Sequence, residues 1–287
     1  MIGLILAAGK GSRLFPSTLS LSKHLLTIYD KPMIYYPLSI LLLAKIRDIV
    51  IIINKEHSEL YNKILGDGSK FGCRIKYLVQ DKPEGIGQSF LIAEKYIKNK
   101  KVCLILGDNI FYGDNLISLM NKAKKNNGAT IFTYEVKDPE NYGILEMKKN
   151  KIFSIVEKPK ASKSKKAITG IYFFDTNILK FAKKNKKSKR NELEITFIID
   201  QYRKINKLNH IDLGRGFAWL DTGSYENILY ASNFFEIIEQ RQGLKIACLE
   251  EIALLNKWLT KRKLNTIIKN YPSSNYKNYI KKVIKEN

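Results

Sequence analysis

Cysteine and histidine are scarce in this sequence. Its 287 residues include only three of each. An odd number of widely separated cysteines argues against a disulfide framework and favours a reducing compartment, so we expect a cytoplasmic protein. The histidines have none of the spacings of zinc ligands, so they give no support to a zinc site. The residues concerned are Cys73, Cys103 and Cys248, and His24, His57 and His210.

Long apolar runs are also missing. The two longest candidates, Ile49 to Ile53 and Ile40 to Ala44, fall far short of the ~20 residues that a membrane helix needs. Residues Met1 to Ala8 are apolar, but they lack a basic leader and continue into a glycine loop rather than a cleavage site. We therefore expect neither a signal peptide nor a membrane partner.

Acidic residues are heavily outnumbered. The sequence has 27 Asp and Glu against 50 Lys and Arg, a formal net charge of +23. Such an excess can indicate a surface for nucleic acid or anionic membrane. The lysines are instead spread over apparent loops and polar helix faces, without a nucleic-acid-binding motif. We interpret the charge as compositional bias and predict no nucleic-acid partner; salt-dependent retention on DNA would favour the alternative.

What the sequence does contain is an alternation of apolar strands and helices. We predict strands at 2–6, 49–53, 74–79 and 102–106, separated by helices at 37–45, 57–65, 87–97 and 115–125. This pattern predicts a mainly parallel, Rossmann-like α/β sheet with helices on both faces. Closely spaced strands at 129–136, 143–147, 152–156 and 171–174 predict antiparallel additions. Helices follow at 177–184 and 193–205, and the C-terminal segment from Ser224 is largely helical.

Ligands of open α/β sheets bind beyond the carboxyl ends of the strands. That rule selects the loop after Leu6, the loop after Val79 and the turn at Gly107-Asp108. In the first loop, Gly9 and Gly11 let backbone amides approach a phosphate, and Arg13 adds a planar fork. The loop is neither a dinucleotide fingerprint nor a Walker A motif. Taken alone, it is equally compatible with a plain turn.

Two aspartates are candidate metal ligands. Asp108 follows a buried strand, and Asp221 lies in the Trp-Leu-Asp-Thr-Gly segment. Two carboxylates together with phosphate oxygens form a hard-oxygen set suited to Mg²⁺. A helix N-cap at Asp108 and an Asx-turn at Asp221 are alternatives that the residues alone leave open.

These segments belong to a longer series of motifs. After Leu6–Leu14 come Ser22-Lys23, Tyr29–Pro37, Leu65–Ser69, Leu106–Gly113, Tyr142-Gly143, Glu157–Pro159, Thr169–Tyr172, Glu192–Thr196, Gly214–Gly216 and Trp219–Gly223. In this order, over essentially the whole chain, the series closely resembles the glucose-1-phosphate thymidylyltransferase family of sugar nucleotidyltransferases.

The resemblance implies a reaction. A thymidylyl group would pass from dTTP to α-D-glucose 1-phosphate, giving dTDP-glucose and pyrophosphate, by Mg²⁺-assisted in-line attack without a covalent intermediate. The same reaction with UTP or another sugar 1-phosphate stays open, because thymine differs from uracil by one methyl group, worth roughly 1 kcal/mol of contact. A non-catalytic sugar-nucleotide sensor is the alternative from another class.

The resemblance also implies roles for individual residues. The catalytic residues would be Arg13, Lys23, Asp108, Lys158 and Asp221, with Asp108 and Asp221 as metal ligands. The nucleotide would contact Ala8, Gly9, Gly11, Ser12, Arg13, Lys23, His24, Gln80, Gly85 and Asp108. Recognition of its base is assigned to Gln80 and the loop from Pro83 to Gln88. The sugar phosphate would contact Asn109, Tyr142, Gly143, Glu157, Lys158, Ile168 and Arg190. Ordinary core packing explains Tyr142 and Ile168 almost equally well, and Arg190 could be merely a solvated charge.

Three positions depart from the family pattern. His24, Asn191 and Phe197 stand where the family usually has glutamine, glycine and aspartate. An imidazole can still donate to a phosphate, so we expect His24 to be tolerated. Its pKa near 6.5 could nonetheless make nucleotide affinity pH-dependent. Asn191 and Phe197 put the geometry around Arg190 in doubt.

The resemblance further implies a homotetramer with a second, regulatory site between subunits for a deoxysugar-nucleotide end product. The matching residues are Arg215, Glu251 and Ile252, although a helix-capping turn and core packing also explain that stretch. We expect one nucleotidyltransferase domain over residues 1–287. It would comprise a nucleotide-binding half at 1–128, a sugar-phosphate-binding half at 129–223 and a helical segment for oligomerisation or regulation at 224–287.

Overall fold

The computed structural model describes all residues from 1 to 287 and has thirteen strands, eleven α-helices and six short 3-10 helices. The strands are β1 Ile2–Ala7, β2 Thr27–Ile28, β3 Lys31–Pro32, β4 Asp48–Ile53, β5 Arg74–Val79, β6 Val102–Leu106, β7 Asn109–Gly113, β8 Ala129–Glu135, β9 Gly143–Lys148, β10 Lys151–Glu157, β11 Lys166–Phe174, β12 Leu208–Asp212 and β13 Phe217–Asp221. The helices are α1 Tyr35–Leu43, α2 Ser58–Leu65, α3 Gln88–Ile92, α4 Glu94–Ile97, α5 Leu116–Lys125, α6 Ile178–Ala182, α7 Ile195–Lys204, α8 Tyr225–Gln242, α9 Leu249–Leu255, α10 Lys261–Lys269 and α11 Asn275–Glu286.

The first half of the chain forms the parallel part of a nine-stranded sheet. Strand β1 pairs in parallel with β4 and β6, and β4 pairs in parallel with β5. Alternate residues of β4 enter two different cores: Ile49 and Ile51 pack in one, Val50 and Ile52 in the other. Because side chains alternate across a strand, the two cores lie on opposite faces of the sheet, and helices cover both. The predicted Rossmann-like sheet is confirmed.

The second half adds mainly antiparallel strands. The long strand β11 pairs antiparallel with β6, β8 and β9, and β10 forms a hairpin with β9. One further strand, β12, pairs in parallel with β8 and was not predicted. These additions place the carboxyl end of β10 beside the carboxyl ends of the parallel strands, on the rim of one cavity.

Two other features differ from the expectation. The helix expected at 87–97 is interrupted at Ala93, which separates α3 from α4. Residues 109–113 and 217–221, in neither of which a strand was predicted, form the separate antiparallel ribbon β7–β13. The C-terminal helices α9 to α11 pack on one another through a small apolar cluster that includes Leu264 and Ile280. No helix in the chain combines the length and apolar character required to cross a membrane.

Candidate active site

The loop after β1 is shaped by glycine and held by a hydrogen bond and a buried side chain. Gly11 adopts a left-handed backbone with a φ of 63°, which suits a residue without a side chain. Thr18 closes the loop by donating from Oγ1 to the Gly11 carbonyl at 3.0 Å, and the fully buried Leu14 anchors it from below. Arg13 reaches across to Gly223, where a Cβ atom would lie 3.2 Å from its Cζ. The loop therefore presents a cation toward β13.

The ribbon β7–β13 brings the two aspartates together. Asp108 immediately precedes β7, and Asp221 ends β13 opposite Asn109. Thr222 fixes the junction because its backbone N–H and its Oγ1 both donate to the Asp108 carbonyl, at 3.0 and 2.7 Å. The N-cap of α5 is Asn115, so the N-cap alternative for Asp108 is wrong. Asp221 ends a strand rather than opening an Asx-turn.

Charged and polar neighbours orient the Asp108 carboxylate. Lys23 Nζ pairs with Oδ2, and Asn109 Nδ2 donates to Oδ1 at 2.9 Å. The Trp219 indole N–H in turn donates to Asn109 Oδ1 at 2.7 Å. Burial raises the pKa of Asp108, but the charge of Lys23 and the hydrogen bonds from Lys23 and Asn109 together outweigh burial, so the pKa lies well below its ordinary value. The carboxylate is therefore ionised in the ligand-free protein.

Asp221 has the opposite electrostatic environment. Burial and the nearby charge of Asp108 raise its pKa to about 6. The charges of Lys23, Arg13 and Lys158 counteract part of this shift, which places all three cations close to the carboxylate. The pKa values of these two neighbouring aspartates are thus shifted in opposite directions, because the cations nearby do not fully neutralise both carboxylates. Such a pair is expected where a further cation binds.

The hairpin β9–β10 supplies the other side of the site. Lys158 follows β10 directly, and its N–H donates to the Tyr142 carbonyl at 3.0 Å. Its φ of 42° lies in the left-handed region, which is costly for a side chain that carries a Cβ. The Tyr142 ring packs on Trp219 with 5.0 Å between ring centroids. Lys158 thus adopts an unusual backbone conformation at the rim of the site.

Glu157 is surrounded by groups that hold its carboxylate in place. Thr196 Oγ1 donates to Oε2 at 3.0 Å, and Arg190 Nη1 contacts Oε1 at 3.2 Å. Burial and the neighbouring Glu194 raise the pKa of Glu157. Arg190 also pairs with Glu192 and lies 3.6 Å from Glu194, so it is bound within an acidic cluster rather than merely solvated. It does not line the cavity described next.

These elements enclose a cavity of about 170 Å³. The residues predicted from the sequence that line it are Arg13, Asp108, Asn109, Tyr142, Gly143, Glu157, Lys158, Ile168 and Asp221. Tyr142 and Ile168 therefore face the cavity, even though Ile168 is only 6% exposed. The fold thus assembles at one edge of the sheet residues that are more than 200 positions apart in the chain.

The predicted base-binding residues lie along the same sheet edge. Gln80 follows β5 and is buried, while Gly85 has a φ of 99° and packs against the backbone of Leu193. In the loop after β1, Ala8 is buried, Gly9 leaves room for Lys23, and Ser12 is exposed. Their assignment to the nucleotide stays a prediction.

His24 is placed differently from what we expected. Its ring is only 1% exposed and its Nδ1 lies 3.2 Å from Ser22 Oγ. Burial and the adjacent Lys23 lower the pKa of His24 to about 3. The expected titration near neutral pH is therefore wrong: the ring is neutral at physiological pH and packs closely against Gly107.

The other two departures are accommodated by the fold. Asn191 has a φ of 61°, a left-handed conformation that asparagine adopts more readily than most side chains. The backbone geometry that glycine would favour is thus available here. Phe197 packs against the core that contains Ile195 and Ile198. Neither substitution disrupts the contact between Arg190 and Glu157.

The structure also identifies residues whose contribution the sequence did not suggest. The Tyr225 hydroxyl donates to the Leu14 carbonyl at 2.7 Å and accepts from the Ser17 N–H at 3.3 Å. Helix α8, which begins at Tyr225, therefore fixes the loop after β1. Trp219 and Thr196 orient Asn109 and Glu157 respectively. Trp219 and Thr196 belong to the motifs Trp219–Gly223 and Glu192–Thr196, which was a usable signal, whereas Tyr225 gave none.

Comparisons with known proteins agree on the family of this chain. A family model described as "Nucleotidyl transferase" matches residues 2–237. A glucose-1-phosphate thymidylyltransferase from Neisseria gonorrhoeae is 50% identical over 98% of both chains. One from Neisseria meningitidis is 47% identical over the full length of both. The resemblance drawn from the motifs is confirmed.

Solved structures agree with the sequence relatives. A Bacillus anthracis protein described as a glucose-1-phosphate thymidylyltransferase, solved with sucrose, has 38% identity and a TM-score of 0.76, covering 82% of this chain and 95% of that one. A UDP-glucose pyrophosphorylase solved with UDP-glucose has 25% identity and a TM-score of 0.71, covering 83% of this chain and 98% of that one. Both similarities extend over most of the fold described above.

Proposed function

This chain belongs to the nucleotidyl transferase family and, within it, to the glucose-1-phosphate thymidylyltransferases, and from that premise we propose its reaction. It is an enzyme that transfers a thymidylyl group from dTTP to α-D-glucose 1-phosphate and releases pyrophosphate. The observation that carries the proposal is the convergence of Asp108 and Asp221, through the β7–β13 ribbon, with Arg13 and Lys158 around one cavity.

The chemistry requires alignment and charge neutralisation more than proton transfer. An oxygen of the sugar phosphate attacks the α-phosphorus of the nucleotide, while the bond from that phosphorus to the β-phosphate oxygen breaks and pyrophosphate leaves with the electron pair. The attacking phosphate is already ionised at neutral pH, so no general base is needed. Lys158 orients the sugar phosphate, and Arg13 and Lys23 stabilise the charge that develops on the leaving pyrophosphate.

The donor set fits Mg²⁺ as the cofactor. Asp108 and Asp221 are close enough for one to raise the pKa of the other, and a divalent cation held by both would offset that repulsion. The chain offers no group of three or more carboxylate, histidine or cysteine ligands, so phosphate oxygens and water would complete the coordination, as is usual for Mg²⁺. Bound Mg²⁺ would supply charge neutralisation at the reacting phosphates.

The activity is testable by a panel of nucleoside triphosphates crossed with sugar 1-phosphates. We expect Mg²⁺-dependent pyrophosphate release that requires both substrates, with dTTP and glucose 1-phosphate as the preferred pair. UTP belongs in the panel because a UDP-glucose pyrophosphorylase shares the fold. Reactions that contain EDTA, or that lack the sugar phosphate, are the controls. Failure to release pyrophosphate with any hexose 1-phosphate would refute the proposed function and favour a sugar-nucleotide sensor.

The protein assembles as a homo-oligomer in this proposal, with a homotetramer as the expected form and the cytoplasm as its compartment. Helix α8 supports this because it carries apolar side chains on both sides. Ala231 and Phe235 are fully buried within the chain, whereas Leu229, Tyr230 and Ile237 are each more than half exposed. A second copy that covers this outer face would remove those side chains from water.

A second, regulatory site remains part of the proposal. Glu251 and Ile252 line a mainly apolar cavity of about 310 Å³ together with Tyr112 and Gly113. The Glu251 carboxylate accepts from the Tyr279 hydroxyl at 2.8 Å, and burial raises its pKa. Arg215 is exposed in the connection between β12 and β13 and does not line this cavity within one chain.

Titration with dTDP-rhamnose tests the regulatory site. We expect the wild-type enzyme to be inhibited, with a coupling free energy of roughly 1–3 kcal/mol between the two sites. The double variant Arg215→Ala, Glu251→Ala should lose most of that inhibition but keep turnover, because neither residue lines the active-site cavity. Equal inhibition of both proteins, in simple competition with dTTP, would remove the second site from these residues.

A further inference from the structure

Gln88, the first residue of α3, uses both ends of its side-chain amide. Its Oε1 accepts from the Glu84 backbone N–H at 3.2 Å and from Gln80 Nε2 at 2.5 Å. Its Nε2 donates to Glu84 Oε2 at 3.0 Å. The other oxygen of that carboxylate accepts from Lys187 Nζ at 2.6 Å, so the Glu84 side chain is held from two sides.

The backbone around this network is also fixed. The Leu193 N–H donates to the Glu84 carbonyl at 2.6 Å, and the Gly87 N–H donates to the Leu193 carbonyl at 2.8 Å. A Cβ atom on Gly85 would lie 2.7 Å from Leu193 backbone atoms, so the loop packs directly on that segment. Glu84 therefore presents its N–H and its carboxylate to Gln88 from a rigid position.

The chemistry of these partners permits one orientation of the Gln88 amide. A backbone N–H can only donate, and an ionised carboxylate can only accept. Reversing Gln88 would set its NH₂ group against the Glu84 N–H and its oxygen against the Glu84 carboxylate, leaving both pairs repulsive. Gln88 must therefore turn an oxygen toward Gln80, and Gln80 must meet it with its NH₂ group.

Gln80 is left with one defined pair of free groups. One Nε2 hydrogen is used by Gln88, while the second hydrogen and Oε1 have no partner in the chain. The one fully buried side-chain polar atom without a hydrogen-bond partner is Asn185 Oδ1. Gln80 Oε1 also lacks a partner, so it is not fully buried and reaches solvent, although the residue as a whole is only 4% exposed. An acceptor and a donor are thus offered side by side at the carboxyl end of β5.

The geometry points to Gln88 as a positioning residue that, with Glu84, locks the Gln80 amide in the orientation that selects keto pyrimidines over amino pyrimidines. The inference rests on the proposed function and on the prediction from the sequence that Gln80 contacts the base of the nucleotide. Thymine and uracil carry a donor at N3 and a carbonyl at C4, which complement an acceptor beside a donor. Cytosine has the reverse arrangement. It could pair only if Gln80 turned over, which would set its oxygen against that of Gln88.

The test compares nucleotide specificity in wild type and Gln88→Met, which keeps the length of the side chain but removes its hydrogen bonds. We expect the ratio of kcat/KM for dTTP to that for dCTP to fall about 10- to 100-fold, because Gln80 can then turn. The ratio for dTTP to UTP should stay within about twofold, since both bases present the same edge to Gln80. Glu84→Gln, which replaces an acceptor by an amide that can turn, should cause a smaller loss of the same kind.

Gln240→Met is the matched control, because Gln240 lies on α8 and its amide bonds only to Glu236. Calorimetric affinities for dTTP and dCTP provide the same ratio if the Gln88 variant turns over too slowly. An unchanged dTTP-to-dCTP ratio in both Gln88→Met and Glu84→Gln would overturn the inference that Gln88 and Glu84 orient Gln80. An equal loss of kcat/KM with dTTP, UTP and dCTP would overturn it as well. Failure of the proposed function is distinguishable, because the wild type itself would then show no pyrophosphate release.

Discussion

Asp221→Asn and Asp108→Asn should each lower kcat by about 100- to 10,000-fold while leaving the fold intact. Either substitution removes one negative charge from the pair proposed to hold Mg²⁺, and such a charge at reacting phosphates contributes several kcal/mol, with 1.36 kcal/mol equal to tenfold in rate. Asparagine keeps the size of the side chain, so the local packing is retained. Pyrophosphate release at saturating substrates measures the effect.

The two variants should differ in stability, and that difference tests the electrostatics of the metal-free site. The pKa of Asp221 is raised in the folded protein to about 6, so ionisation destabilises the fold as pH rises from about 4 through 6. Asp221→Asn cannot ionise and should stabilise the metal-free protein at pH 7–8 by about 1–3 kcal/mol, an advantage that disappears near pH 4. The free energy of unfolding in EDTA, measured at both pH values, checks this.

Asp108→Asn is the matched comparison. Its carboxylate is paired with Lys23, and its pKa is lowered rather than raised, so removing it leaves a partly buried ammonium without a partner. We expect this variant to be destabilised at pH 7, in contrast to Asp221→Asn. Near-normal turnover in either variant would remove that residue from the metal site. Equal stability changes in both would contradict the opposite pKa shifts.

The sequence predicted the parallel sheet well because its signals are local. The apolar run of β4 and the strand that ends at Leu106 have the composition and period of buried strands, and the observed β5 and β6 have the predicted bounds. Nine of the residues predicted from the motifs line the one cavity. The motifs could not predict which of these residues lie close together in space, because residues such as Arg13 and Asp221 meet only through long-range strand pairing.

The unpredicted features depend on that long-range pairing. The ribbon β7–β13 joins segments about a hundred residues apart, and neither has an alternating pattern that stands out. His24 was misjudged for a related reason: its burial comes from surrounding elements and not from its neighbours in the sequence. The contacts of Tyr225 with Leu14 and of Gln88 with Gln80 are likewise set by tertiary structure. The resemblance carried by the motifs thus predicted the chemistry, while packing determined the protonation and orientation of individual groups.

Lys158→Ala should reduce kcat/KM for glucose 1-phosphate by about 10- to 100-fold, because a charge-assisted contact to a phosphate contributes roughly 1.5–3 kcal/mol. Affinity for dTTP should be largely retained, since Arg13 and Lys23 on the opposite loop are proposed to hold the triphosphate. Calorimetry with each substrate separates the two effects. A large loss of dTTP affinity without any effect on the sugar phosphate would reverse the assignment.

Lys158→Gly distinguishes the function of the ammonium from the conformation of the backbone. With a φ of 42°, residue 158 occupies a region that costs a residue with a Cβ roughly 1–2 kcal/mol, a cost that alanine keeps and glycine avoids. Glycine also gains freedom in the unfolded chain, which offsets part of the benefit. We therefore expect Lys158→Gly to be more stable than Lys158→Ala by about 0.5–1 kcal/mol, yet equally impaired toward glucose 1-phosphate. If glycine restored activity that alanine lost, the backbone conformation rather than the charge would limit the reaction, because the two variants share the missing ammonium and differ only in the Cβ.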